Sequence, residues 1–411
     1  MSEIEFIEVP GGVCAPKGFK SAGVYAGVKE NPKKKPDLGL LVCDVAAVTA
    51  AVFTANKVKA APIYVSKIHL EQSENRIRAA VANSGNANAC TADGNINAER
   101  MTAAAAKAIG CTNEEIICAS TGVIGKSLNI NAIEAAMPAA AKCLTDDGES
   151  FAVSVMTTDT FRKEYALEFT LGGKTCRIGG CAKGSGMIAP NMATTLNFLT
   201  TDAAVSQKLL QKALSEVSEN TWNCLYIDGD MSTNDCAFLM ASGLAGNEEI
   251  SDVGDDYGIF AAALYIVCET LVKMLARDGE GATKLLRCTV EGASDMSAAK
   301  AVSRAVIGSD LLKCAMYGCD ANWGRVICAA GYSGADIDPL KIDITFISDS
   351  GEIDVCKNGC ALDFSEDLAK KILSEDEIII AVNLNSGSFG ATAWGCDLTY
   401  DYVKINGDYR T

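Results

Sequence analysis

The order of strand-like and helix-like segments limits what this chain can fold into more than any single residue does. Strand-like runs cover residues 38–44, 78–83 and 116–119, and 164–181 reads as two paired strands turning at Leu171-Gly-Gly-Lys. Residues 1–60 read throughout as strands and turns. Helical spacing marks 97–109, closed by Gly110, then 130–143, 205–218 and 257–277. Strands return at 284–291, 341–346 and 377–384. Strands therefore come in groups beside paired helices, without the strict β-α-β alternation of a doubly wound parallel sheet. The pattern predicts a layered α/β sandwich with mixed or antiparallel sheets. With 411 residues, 49% of them apolar, the chain can bury a large core. No internal repeat, low-complexity linker or proline-rich hinge divides it.

Charge narrows the partners. A net charge of −16 argues against nucleic acid and anionic membranes, both of which need a basic face. A small anionic substrate is still allowed, because one local lysine can serve it. The longest strongly apolar run, 259–268, is too short to span a bilayer and reads as a buried helix. The start, Met-Ser-Glu-Ile-Glu, has neither the basic nor the apolar region of a signal peptide, so a cytoplasmic protein is expected. Its 18 cysteines then read as free thiols. Cys43 and Cys328 sit in apolar runs as small hydrophobes. No pair has C-x-x-C spacing; the nearest are Cys356/Cys360, Cys176/Cys181 and Cys314/Cys319, so neither a metal site nor a thioredoxin-like site is expected.

His69 is the only histidine. Every Ser-His or Cys-His mechanism must use it or fail. Its surroundings, Tyr-Val-Ser-Lys-Ile-His-Leu-Glu, hold no nucleophile signature, so a surface or helix-start position is expected. Acyl chemistry here needs another base.

Several motifs fail. Gly125-Lys126-Ser127 lacks the required glycine at Ser120, and Gly173-Lys-Thr has Glu168 in that place, so neither is a phosphate loop. Asp228-Gly-Asp-Met-Ser-Thr-Asn-Asp235 has Thr233 and Leu239 where a calcium loop needs Gly and Glu, and reads as a polar turn. No G-x-S-x-G elbow occurs.

One stretch survives. Gly184-Ser-Gly186 is a flexible turn, and beyond it Ala193-Thr194 sets a small residue before a hydroxyl. Such a pair can cut itself: the Thr hydroxyl attacks the preceding carbonyl, and water resolves the ester. The freed α-amine, with an ordinary pKa of about 8, can then serve as base for its own hydroxyl. No histidine is needed. Taken alone, Ala-Thr equally fits the start of a strand.

The whole chain resembles the glutamate N-acetyltransferase / ornithine acetyltransferase family of arginine biosynthesis. The stretches that carry the resemblance are Ala15-Pro-Lys-Gly-Phe-Lys, Asn56-Lys-Val-Lys-Ala-Ala-Pro62, Asn83-Ser-Gly-Asn-Ala-Asn-Ala-Cys90 and Met156-Thr-Thr-Asp-Thr160. They continue with Ala182-Lys-Gly-Ser-Gly-Met-Ile-Ala-Pro-Asn-Met-Ala-Thr194, Asp228 to Asp235, Arg277-Asp-Gly-Glu-Gly-Ala-Thr-Lys284, Asp320-Ala-Asn-Trp-Gly-Arg325 and the tail Asn406-Gly-Asp-Tyr-Arg-Thr411.

The resemblance implies an αββα sandwich like that of N-terminal-nucleophile hydrolases, with its own connectivity. It implies a cut between Ala193 and Thr194, giving an α chain of 1–193 and a β chain of 194–411, assembled as α2β2. Thr194 would accept the acetyl group of N2-acetylornithine as an ester and pass it to glutamate. Thr121 and Gly122 would form the oxyanion hole, where losing one donor costs about 100-fold or more in rate. Lys183 would meet a substrate carboxylate. Glu280 would meet the cationic amine of ornithine. Asn406 and Thr411 would reach the substrate from the tail, and Thr157 or Thr158 would add a contact, Thr157 being preferred. No cofactor is implied; acetyl-CoA stays open as a second acyl donor. Thr195 departs from the family, standing where many members carry an apolar residue. The alternative on the same fold is an aminopeptidase or amidohydrolase, in which water resolves the acyl-enzyme.

Overall fold

The computed structural model describes residues 5–29, 33–189 and 195–408. Its first sheet takes β1 (Ile7–Glu8), β2 (Phe19–Val24), β3 (Leu38–Phe53), β4 (Arg76–Asn86), β5 (Ile116–Val123), β6 (Lys163–Leu171), β7 (Lys174–Lys183) and β8 (Leu196–Thr201). Two more strands follow: β9 (Leu225–Tyr226), which joins a second sheet, and β10 (Cys236–Ala241), which completes the first. The order in the first sheet is β1-β6-β7-β8-β10-β3-β4-β5, with β2 also on β3.

The long β3 lets this sheet fold over itself. Its first part pairs with β2 and β4, its last six residues pair with β10, and its register with β4 shifts between Val42 and Ala47. Such an irregularity bends a strand. The two halves then face each other across an aromatic core. Phe198 and Phe238, neighbours on the parallel pair β8–β10, pack against Ala80, Ala82 and Ile117 of the other half, and Phe151 meets Phe198 edge-on at 4.9 Å.

Helices close both outer faces. On one side α1 (Ala61–Gln72) and α2 (Gly94–Ile109) cover β4 and β5, and α3 (Ile130–Lys142) packs beside α2 over β2 and β3. Gly110 takes the left-handed conformation expected at the end of α2. The short α4 (Glu149–Ser154) plugs the side of the sandwich with Phe151. On the other side α5 (Gln207–Asn220) and α6 (Asp255–Arg277) cover the β6–β10 half. These are the four layers expected, α, β, β and α.

A second sheet, in the order β14-β13-β12-β15-β11-β16-β9, lies beyond α6. It adds β11 (Leu285–Ala293), β12 (Asp343–Ser348), β13 (Gly351–Lys357), β14 (Cys360–Ala361), β15 (Glu377–Asn383) and β16 (Phe389–Cys396). Its helices are α7 (Met296–Ile307), α8 (Asp310–Tyr317), α9 (Trp323–Gly331), α10 (Glu366–Leu373) and α11 (Tyr400–Asp408). Asp295, Ser309 and Ser365 cap α7, α8 and α10 through side-chain oxygens. By length and composition α6 could cross a membrane; here Phe260, Leu264, Val267 and Leu271 are fully buried in a core shared by both sheets.

Four expectations change. His69 is not at the surface: it is 2% exposed, with Nδ1 2.7 Å from the Ile116 carbonyl and Nε2 3.3 Å from Glu99. Cys328 is exposed, because the amphipathic α9 turns Val326, Ala329 and Ala330 inward instead. The strand expected over 78–83 runs further, since β4 continues to Asn86 by parallel pairing with β5. The strand expected over 116–119 runs on to Val123, so Thr121 and Gly122 lie in the end of β5. All 18 cysteines are unbonded to one another.

Candidate active site

One cleft gathers segments far apart in sequence. Thr121 and Gly122 reach it from β5, Lys183 from the end of β7, and Thr157 and Thr158 from the loop after α4. Glu280 comes from the loop after α6, and Asn406 from α11. Thr195 and Leu196, at the start of β8, also line it. Thr194, Ala193 and Thr411 lie outside the described residues.

The backbone around this cleft leaves no room for side chains at two glycines. Gly122 has φ +132°, and a Cβ there would stand 2.3 Å from the Gly85 carbonyl carbon in the adjacent β4. A Cβ on Gly186 would stand 2.4 Å from a Glu280 carboxylate oxygen. Glycine therefore lets the 184–186 turn lie directly against Glu280. The Glu280 backbone N–H donates to the Ser185 carbonyl at 2.8 Å, and Asn406 Nδ2 donates to Glu280 Oε2 at 2.8 Å.

Beneath the cleft is a dry charge network. Lys163 Nζ bridges Asp159 Oδ1 at 2.7 Å and Asp278 Oδ2 at 2.6 Å, all three side chains being buried. Asp159 also accepts from the Gly184 N–H at 2.7 Å and the Thr157 N–H at 2.9 Å. Burial alone would push its carboxyl up, but Lys183, Lys163 and these hydrogen bonds outweigh that and hold it at about 2. Burial pushes the Lys183 ammonium down, opposed by Asp159. Lys183 Nζ donates to Thr121 Oγ1 at 3.3 Å. Thr158 shares a 2.6 Å hydrogen bond with Ser185, while the Thr157 hydroxyl has no such bond among the described residues.

The polar stretch before β10 is more than a turn. Ser232, Thr233, Asn234 and Asp235 all line the cleft. Asn234 Nδ2 ties it down by donating to the Ala87 carbonyl at 2.6 Å and the Ser120 carbonyl at 2.8 Å. Asp235 is 2% exposed, its Oδ2 has no hydrogen-bond partner among the described residues, and burial pushes its carboxyl well up. Its sequence signal was the density of short polar residues in Asp228 to Asp235, which resembled a failed calcium loop.

The connection between β7 and β8 is held at both ends. The Met187 and Ile188 N–H groups donate to Asp228 at 2.7 and 2.9 Å. Thr195 accepts from the Cys236 N–H at 3.1 Å through its carbonyl and from Asn197 Nδ2 at 2.5 Å through its hydroxyl. β7 and β8 themselves pair from Ile178↔Thr201 to Lys183↔Leu196. Residues on both sides of position 193 thus share one sheet.

A buried lysine beside a threonine and a tightly packed backbone turn, opposed by a carboxylate, equips an enzyme for acyl transfer on amino acids. The ArgJ family model matches residues 20–411, and the chain belongs to that family. An arginine biosynthesis bifunctional protein ArgJ 1 of Clostridium acetobutylicum is 49% identical over 96% of both chains. The ArgJ protein of Bacillus subtilis is 42% identical over all of this chain and 99% of its own. A solved ArgJ chain from Bacillus halodurans is 48% identical, with a TM-score of 0.50; it covers 52% of this chain and 98% of itself.

Proposed function

We propose that this enzyme moves the acetyl group of N2-acetyl-L-ornithine to L-glutamate through an acetyl ester on Thr194, within arginine biosynthesis. The observation that carries the reading is the convergence of Thr121, Gly122, Lys183 and Glu280 on a cleft whose wall includes Thr195 and Leu196, the residues after Thr194.

The steps follow from those groups. The Thr194 hydroxyl adds to the acetyl carbonyl while the Thr194 α-amine takes its proton. The oxyanion is met by the Gly122 N–H and by the Thr121 hydroxyl, which Lys183 orients. The C–N bond breaks, and the α-amine of ornithine leaves with the proton. The α-amine of glutamate then attacks the ester, the C–O bond breaks, and Thr194 regains its proton. Lys183 suits an α-carboxylate, and Glu280, steadied by Asn406, suits the δ-ammonium of ornithine. No metal or cofactor is required; acetyl-CoA is a candidate second donor.

The α-amine exists only after the Ala193–Thr194 bond is cut. Support for a cut comes from the Bacillus halodurans chain, nearly all of which is accounted for by about half of this one. The β7–β8 pairing would keep both pieces together. We place the enzyme in the cytoplasm as an α2β2 assembly.

Mass spectrometry of the purified protein tests this. Two pieces, 1–193 and 194–411, are expected, the second gaining one acetyl group with N2-acetylornithine. The reading fails if Thr194→Ala still splits and still transfers acetyl groups. Release of acetate without glutamate, at the rate of transfer, would indicate an amidohydrolase instead.

A further inference from the structure

The proposed cycle sets a problem of charge. One acetyl-enzyme must serve two amino acids that agree at the α-carbon and differ at the side chain: a cation on ornithine, an anion on glutamate. The cleft carries Glu280 for the first, and among its described lining residues Lys183 is the only cation. If Lys183 takes the α-carboxylate, the second carboxylate of the acceptor needs another partner.

A second cavity adjoins the first, and Thr157 lines both. Lys29, Lys33 and Lys35 line it with Met156 and Asp159. That concentration of positive charge runs against a net charge of −16. Its one carboxylate, Asp159, is already taken by Lys163, Gly184 and Thr157. Lys29 is half-buried, and among the described residues its Nζ donates only to neutral groups, the Met156 carbonyl at 3.3 Å and the Ser84 hydroxyl at 3.4 Å. Asp37, the acid facing it, is occupied by the N–H groups of Ala26, Val28 and Lys29. Among the described residues neither Lys29 nor Lys35 is in an ion pair.

Strand register places Lys29 beside the reacting end. Ser84 pairs with Thr121, and Gly85 with Gly122. Lys29 lies across Gly85, where an added Cβ would stand 2.6 Å from Lys29 Cβ. Lys29 thus touches Ser84 on one strand while Lys183 touches Thr121 on the next. Paired strands lie about 4.8 Å apart, so the two hydroxyls that these ammonium groups contact sit on one rung of the sheet. That spacing suits the two carboxylates of a five-carbon diacid. It does not suit the phosphates of an acyl-CoA, which a long pantetheine arm separates from the thioester.

We propose that Lys29, with Lys35 at the rim, forms the subsite for the side-chain carboxylate of the acceptor, so that glutamate and ornithine side chains are read by different walls of the cleft. This rests on the acetyl-cycling reading.

Lys29→Met and Lys29→Arg in the full chain test it with three assays: exchange of labelled ornithine into N2-acetylornithine, acetyl transfer to glutamate, and acetyl transfer from acetyl-CoA. Lys29→Met should raise KM for glutamate tenfold or more, leave ornithine exchange within twofold, and erase the preference for glutamate over its neutral analogue glutamine. Lys29→Arg should recover part of that preference. An unchanged glutamate KM overturns the proposal, as does an equal fall in exchange and transfer, which would make Lys29 structural. A change confined to the KM for acetyl-CoA overturns it in favour of a phosphate site. Absence of ornithine exchange in the unaltered enzyme would instead overturn the acetyl-cycling reading.

Discussion

Replacing Lys163 by Met keeps the length of the side chain and removes the one cation that two buried carboxylates share. Lys163 Nζ lies 2.7 Å from Asp159 and 2.6 Å from Asp278, with no solvent reaching either contact. Removing one side of a buried pair costs about 3–5 kcal/mol, because the partner stays charged and dry. That is a large share of the roughly 5–15 kcal/mol by which folded proteins are stable. The acid limb gives a second readout. Asp159 is held at about 2, against an ordinary carboxylate value near 3.9. A depressed carboxyl stabilises the fold above its unfolded value, and that contribution is lost as pH falls from about 4 through 2. It amounts to about 2–3 kcal/mol. Without Lys163 the loss should begin at higher pH. Urea unfolding, followed by the buried Trp222 and Trp394 between pH 7 and pH 3, measures both effects. Adding Asp278→Asn to Lys163→Met should restore part of the loss. A Lys163→Met protein within about 1 kcal/mol of the parent at pH 7, with the same acid limb, would refute the reasoning.

Gly186→Ala forces a Cβ against the Glu280 carboxylate, so KM for N2-acetylornithine should rise at least tenfold with folding retained; steady-state kinetics and circular dichroism decide it. Gly122→Ala meets both a positive φ and the Gly85 backbone, so acetyl transfer should fall about 100-fold or more, with a lower thermal midpoint. His69→Ala should cost about 1–3 kcal/mol in urea unfolding through the unpaired Ile116 carbonyl and leave the transfer rate within twofold. A large rate loss there would contradict a structural role.

Local sequence determined the local part of this protein. The Leu171-Gly-Gly-Lys turn, the helix ending at Gly110, the amphipathic α5 and the apolar α6 are legible because backbone freedom and side-chain periodicity act over a few residues. The single histidine leaves little room for a His-activated nucleophile and suits the amine base that a cut at Ala193-Thr194 would free. Family resemblance supplied most of the cleft residues; spacing could not, since Thr121, Lys183, Glu280 and Asn406 lie tens to hundreds of positions apart. Only the tertiary structure decided the rest. It buried His69 and turned Cys328 outward, because burial depends on which face a helix packs. It made a wall of Ser232 to Asp235 and set Lys29 against Ser84 and Gly85, the β4 partners of Thr121 and Gly122, because strand register between distant segments fixes which side chains meet. No run of neighbouring residues encodes that register; it comes from the folding of one long sheet across β3.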